Sequence, residues 1–253
     1  MKLDEILEHK RIEVAVRQNR RSLNEVMERV YAAPPPREMH FKGEVALIAE
    51  VKRRSPSAGA LSEDVDPVAQ AQAYERAGAS AISVLTDHHY FGGSLDDLSA
   101  VRAAVEVPVL CKDFILTPYQ VYEARSHGAD LVLLIMAALR DAELRPLQQL
   151  AIDLGMTPLV EVHDQHDLAR ALAAQATLIG INNRDLTDFS VDLLTTEYLA
   201  PLIPDDVVVV SESGIGERQD VQRVTRAGAR AVLVGSALMK AGDPEQAVRD
   251  LLR

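Results

Sequence analysis

At 253 residues the chain is the size of one large α/β domain or two small ones. A net charge of −11 and a pI near 5.1 argue against nucleic acid, whose binding rests on surplus Lys and Arg neutralising phosphates. The single cysteine, Cys111, excludes an internal disulfide and leaves too few thiols for a Cys-based metal site.

In chain order, residues 3 to 30 read as one or two amphipathic helices, with Leu3, Ile6, Leu7, Ile12, Val14 and Val16 set among charges. This segment lacks the apolar core of a signal peptide. "AAPPPRE" at 32 to 38 ends any helix, because consecutive prolines cannot donate backbone hydrogen bonds. A helical extension and linker is therefore expected over 1–44, and the main domain over 45–253.

Eight short apolar runs follow: 45–51, 80–86, 107–112, 130–136, 157–162, 177–182, 207–212 and 230–236. Between most of them lie Ala/Leu/Glu/Arg-rich helical stretches. Three junctions, "RAGASAISVL", "SHGADLVLLI" and "RAGARAVLVG", place Gly78, Gly128 and Gly228 where a left-handed residue closes a helix before a strand. Nearly continuous apolar strands alternating with helices predict a parallel sheet covered on both faces. Eight of them predict an α/β fold of the (β/α)8 TIM-barrel class, which typically takes ~250 residues. An open doubly wound sheet would more often carry a G-x-G-x-x-G turn, and the sequence has none. The longest apolar run, Leu131 to Leu139, is too short to span a membrane. A soluble, cytoplasmic protein is expected.

A barrel puts its functional groups at the C-terminal ends of its strands. There the sequence places Glu50 and Lys52, Lys112, Glu161, Asn182 and Arg184, Glu212 and Ser213, and Gly235 and Ser236. The second and fourth strands contribute little obvious chemistry. The N-terminal ends carry mostly Pro, Thr, Val and Ala, with Asp130 and Arg230 as exceptions. Residues two apart share a strand face, so Glu50 goes with Lys52 and Asn182 with Arg184, whereas Lys112 inward turns Cys111 outward beneath a helix. Glu212 and Ser213 have opposite parity, so one of them needs a local twist. Arg53 and Arg54 also oppose each other, so at most one belongs to the site.

Gly and Ser in "ESGIGE" (212–217) and "VGSAL" (234–238) can turn backbone amides toward an anion, at the seventh- and eighth-strand position where barrels often hold phosphate. Histidines 88, 89, 127, 163 and 166 show no metal-ligand spacing, so no metal and no cofactor is expected.

The motifs "IAEVKRRSPSAG" (48–59), "LTDHHYFGGSLDDL" (85–98), "VLCKDFI" (109–115), "LVEVH" (159–163), "IGINNRDL" (179–186), "SESGI" (211–215) and "VLVGSALM" (232–239) closely resemble the indole-3-glycerol phosphate synthase family of tryptophan biosynthesis. The helical N-terminus is similar to the extension this family places before its barrel. The resemblance implies a carboxy-lyase. Its reaction would be ring closure, decarboxylation and dehydration of 1-(2-carboxyphenylamino)-1-deoxyribulose 5-phosphate to indole-3-glycerol phosphate. It implies Lys112 as general acid, Glu161 as general base and Lys52 as a second cation oriented by Glu50, with Asn182, Glu212 and Ser213 completing a catalytic wall. Phosphate would be held by amides around Gly214, Gly235 and Ser236, with Arg53 or Ser55 assisting. The resemblance implies Pro56 and Arg184 as further binding residues, and Phe91 and Phe114 resemble the residues that flank the anthranilate ring. The segment from Ser55 to Gly59 would form a loop over the substrate.

The partner expected is thus a small phosphorylated molecule, with no nucleic acid and no membrane, acting on a monomer or weak homodimer. Two rivals remain at this point. Phosphoribosylanthranilate isomerase would draw its acid and base from a cysteine and an aspartate, and Cys111 has the wrong parity for that. A catalytically silent phosphate-ligand binder would have no need of Lys52, Lys112 and Glu161 together.

Overall fold

The computed structural model describes residues 3–41, 43–55, 59–60, 65–186 and 188–253. Eight parallel strands among them close into a barrel: β1 (Ala46–Val51), β2 (Ala81–Leu85), β3 (Val109–Lys112), β4 (Leu131–Ile135), β5 (Thr157–Val162), β6 (Leu178–Asn182), β7 (Val208–Glu212) and β8 (Ala231–Val234). Each pairs with the next, and β1 closes the ring by pairing with both β8 (Ala46 opposite Ala231) and β2 (Ile48 opposite Ala81). All eight apolar runs are strands, trimmed at most by a residue or two at each end.

Strand parity sorts side chains into two cores. Leu47, Ala49, Ile82, Cys111, Val132, Val160, Ile179 and Val232 point outward and pack beneath the helices. Ala46, Ile48, Ala81, Leu110, Leu131, Leu133, Leu159, Leu178, Val210 and Leu233 fill the barrel interior. Fully burying a Val, Leu or Ile side chain is worth ~1.5–3 kcal/mol, so these two layers are the main source of stability. The interior filling leaves only the rim open to chemistry.

The helix-to-strand junctions follow the Gly-Ala pattern, with Gly78 at φ +108°, Gly128 at +92° and Gly228 at +119°. A residue with a Cβ would be strained there. Two-residue strands, Arg54–Ser55 and Gly59–Ala60, pair antiparallel beyond β1.

Two helices precede the barrel, α1 (Leu3–Arg20) and α2 (Leu23–Ala32). The buried side of α1 is Ile6, Leu7, Lys10 and Val14, whereas Ile12 and Val16 are exposed, contrary to the face read from their apolarity. The reason is Lys10, which is fully buried: its Nζ lies 2.7 Å from Asp87 Oδ2, 2.8 Å from Asp113 Oδ1 and 3.0 Å from Glu13. Burial opposes the Lys10 charge, but the two aspartates outweigh it and raise its pKa. The proline linker then runs along the other end of the barrel, its Pro34 and Pro35 carbonyls accepting from Arg125 and Arg102. Met39 and Phe41 pack onto the interior core.

Of the two charged exceptions at strand N-terminal ends, Asp130 is structural. It is buried, pairs with Arg102 at 2.8 Å and accepts from the amides of Arg37 and Val109. Arg230 is exposed.

Candidate active site

The inward column of each strand ends in one side chain at the C-terminal rim: Glu50, Leu85, Lys112, Ile135, Glu161, Asn182 and Glu212, with Gly235 following β8. Register levels them, with Leu85 opposite Lys112, Ile135 opposite Glu161, and Asn182 opposite Glu212. They line a cavity of about 650 Å³, within the ~300–1,000 Å³ usual for small-molecule sites. The second and fourth strands supply its apolar wall through Leu85, Leu133 and Ile135, and Phe91 and Phe114 stand in the same wall with ring centroids 6.2 Å apart. Leu3 and Ile6 of α1 also reach it.

Ion pairs dominate the floor. Lys112 Nζ is 2.5 Å from Glu212 Oε2 and 3.7 Å from Glu161 Oε2, and Lys52 Nζ is 2.6 Å from Glu50 Oε1. Burial works against the Lys112 charge, yet Glu212, Glu161 and Glu50 together hold it protonated by raising its pKa. Glu50 is buried, which alone would raise it, but Lys52 and Lys112 bring its carboxyl below the ordinary range. Burial likewise opposes ionisation of Glu161, and the contacts with His163, Lys112 and Asn182 outweigh it and depress its pKa. Glu212 moves the other way. Burial pushes it up and, although Lys112 pulls against this, Glu161 and Glu50 add to the rise. Two carboxyls of unlike proton affinity thus flank one ammonium, an arrangement suited to moving protons on a bound molecule.

Glycines make this crowding possible. A Cβ at Gly235 would run into the Glu50 carboxylate, and one at Gly180 into that of Glu212. The parity conflict between Glu212 and Ser213 is resolved by the backbone: Ser213 sits at φ +65°, a left-handed conformation that turns the chain so that both residues line the cavity. Asn183 braces this turn. Its buried Nδ2 donates to Ser211 Oγ and to the carbonyls of Glu212 and Ser213, each at 3.0 Å, while its Oδ1 accepts from Thr196.

A family model described as indole-3-glycerol phosphate synthase matches residues 3–251. The chain belongs to the indole-3-glycerol phosphate synthase family. It is 51% identical over 253 residues to the indole-3-glycerol phosphate synthase of a Parafrankia species, covering 99% of this chain and 94% of that protein. The synthases of a Nocardioides species and of Mycolicibacterium smegmatis are 53% and 51% identical, covering 98% and 99% of this chain and 96% and 93% of those proteins. Among solved structures, a thiamine phosphate pyrophosphorylase from Pyrococcus furiosus superposes with a TM-score of 0.64 at 18% identity, covering 84% of this chain and 96% of that one. A 3-hexulose-6-phosphate synthase also gives 0.64, at 19% identity, covering 82% of this chain and 98% of that one. These two show the barrel fold alone.

Placed in the synthase barrel, the sequence-derived residues divide. Glu50, Lys52, Phe91, Lys112, Phe114, Glu161, Asn182, Arg184, Glu212, Ser213, Gly214, Gly235 and Ser236 share the cavity wall. Arg53 does not. Its guanidinium grips Asp97 with contacts of 2.5 and 3.0 Å and donates to the Gly92 carbonyl. Arg54 is equally occupied, donating to the carbonyls of His88 and His89. Parity allowed one of the two arginines inside; neither lines the cavity, because both bind the segment after β2. Pro56 lies outside the described residues, as does part of the expected Ser55 to Gly59 loop; of Ser55 only the backbone pairing with Gly59 is described.

Cys111 is buried on the outward face, and burial, with Asp113 nearby, pushes its thiol up to about 12. It cannot serve as an acid or base in the cavity, which removes the isomerase reading. Among the described residues one His/carboxylate group has ligand atoms close together: Asp164, His166 and Asp167. Asp164 there caps the Asp167 amide, and Asp167 faces Arg170 and His163. No described helix is long and apolar enough to cross a membrane.

Sequence reasoning missed three residues that shape the site: Lys10, Asn183 and His163. His163 had a signal, since it lies two residues beyond Glu161 on the same strand face. Lys10 had none, because a lysine in an apolar stripe reads as polar surface.

Proposed function

We propose that the chain performs the reaction of its family, closing the ring of 1-(2-carboxyphenylamino)-1-deoxyribulose 5-phosphate with loss of CO2 and water, as a step in tryptophan biosynthesis. The observation that carries the residue assignment is Lys112, charged and poised between Glu212 at 2.5 Å and Glu161 at 3.7 Å in the cavity wall.

The ring carbon bearing the carboxylate attacks the ribulose carbonyl, and the developing oxyanion takes a proton from Lys112. A positioned acid of this kind contributes roughly 10²–10⁴-fold. The carboxylate then leaves as CO2, restoring the aromatic ring. Lys52, the second cation, steadied by Glu50, gives a proton to the new hydroxyl, which departs as water and leaves a cationic five-membered ring. Glu161 then removes the carbon-bound proton to give the indole. The wall that includes Gly214, Gly235 and Ser236 receives the phosphate, and Phe91 and Phe114 flank the aromatic ring.

The chain contains no tryptophan, so indole fluorescence appearing in the assay comes from product alone. Mixed with the carboxyphenylamino ribulose phosphate, the protein is expected to generate that signal, and Glu161→Gln to lower kcat by roughly 10²-fold or more with little change in KM. No fluorescence from the parent protein rejects the activity; an effect on KM alone rejects Glu161 as the base.

A further inference from the structure

His163 ends just behind the cavity rather than in its wall. Its Nε2 is 3.2 Å from Glu161 Oε1 and its Nδ1 is 3.7 Å from Asp167 Oδ2, with the side chain 12% exposed. A neutral imidazole can donate from only one nitrogen and would aim the other's lone pair at an anion, so an imidazole between two carboxylates favours the doubly protonated form. Burial opposes that charge, but Asp167 and Glu161 outweigh it and hold the ring protonated up to about 10.

The outer carboxylate is itself anchored. Arg170 Nη1 lies 3.2 Å from Asp167 Oδ1, and the same guanidinium reaches Asp141 at 2.7 Å and donates to the carbonyls of Met136 and Leu139. On the cavity side, Lys112 and Asn182 face Glu161. One cation therefore meets each oxygen of Glu161, Lys112 at Oε2 and His163 at Oε1.

We propose that His163 is a positioning residue of the reaction: as a cation clamped by Asp167, it holds Glu161 ionised and turned so that its Oε2 edge faces Lys112. The proposal rests on Glu161 being the base. Loss of the hydroxyl leaves a ring cation whose carbon-bound proton is acidic, so Glu161 needs a dependable charge and a fixed direction more than high basicity. A neutral residue at position 163 would let the Glu161 pKa rise and its carboxylate swing.

Two measurements test this. In ligand-free protein, ¹⁵N NMR of the His163 ring is expected to report a doubly protonated imidazole at pH 8; a neutral ring there overturns the proposal. In turnover, His163→Gln keeps a hydrogen-bond donor without charge, and is expected to move the acidic limb of the kcat profile upward by about one pH unit or more, the usual size of a lost neighbouring charge, with KM little changed. An acidic limb that stays in place overturns it. Should that variant fail to fold, Asp167→Asn is expected to return His163 toward an ordinary imidazole titration by NMR, and an unchanged ring overturns the proposal. The NMR arms need no turnover, so a protein that is inactive on this substrate yet carries a protonated His163 speaks against the assigned activity and not against the clamp.

Discussion

At Gly235 the missing side chain is what matters, because the Glu50 carboxylate occupies the space that a Cβ would need. Gly235→Ala is expected to displace Glu50 from Lys52, lowering kcat in the fluorescence assay by at least tenfold while the melting temperature changes little; retained turnover would show that Glu50 can relax without loss. At this scale the legible residues were those whose chemistry follows from position in a strand. Glu50, Lys112, Glu161, Asn182 and Glu212 are inward by parity and lie at C-terminal ends, both readable along the chain. Ser213 is less so, since its place depends on a left-handed φ that the letter S does not announce. Arg53 misled because strand geometry says nothing about Asp97, a partner 44 residues away.

Among the elements, α1 depends on a buried charge. Lys10 satisfies Asp87, which follows β2, and Asp113, which follows Lys112 at the end of β3, so it ties the helix to the same rim that lines the cavity. Replacing Lys10 with Met would leave two buried carboxylates without their cation, and breaking such a pair costs ~3–5 kcal/mol. Lys10→Met is therefore expected to lower the urea midpoint and to expose α1 amides to hydrogen exchange ahead of the barrel; protection equal to the parent's would mean that Ile6, Leu7 and Val14 hold the helix unaided. The strands were legible because apolar runs bounded by Gly-capped helices have few other readings. The face of α1 was not, because its buried stripe of Ile6, Lys10 and Val14 has a lysine at its centre.

For the whole molecule, the rim charges link stability to pH. His163 has a folded pKa of about 10 against ~6.5 when unfolded, so its contribution is complete below pH ~6.5 and is lost as pH rises toward 10. The depressed Glu161 acts oppositely, contributing above the unfolded value of ~4.3 and losing that contribution as pH falls through its folded pKa. Glu212, raised, loses stability from pH ~4.3 upward through its folded pKa. Unfolding free energies from urea titrations are expected to be highest on the acid side of neutrality and to decline to pH 10, a tenfold difference in proton affinity between the folded and unfolded states being worth ~1.4 kcal/mol. His163→Gln should flatten the decline above pH 6.5, and a slope equal to the parent's would remove His163 as its source.

By itself the sequence determined the number and order of strands, which side of each strand faces inward and which ends carry polar groups. Those properties follow from local periodicity and from chain direction. Only the closed barrel decided which charges meet. Lys112 and Glu212 stand 100 residues apart in sequence and 2.5 Å apart in space. The carboxylates of Glu212, Glu161 and Glu50 raise the Lys112 pKa against the cost of burial, while burial with Glu161 and Glu50 raises that of Glu212 against the pull of Lys112, and these surroundings exist only once the ring of strands is closed. The same closure set Asp87 and Asp113 beneath Lys10 of α1 and His163 behind Glu161, because a packed interior of low dielectric tolerates a paired charge where it would exclude an unpaired one.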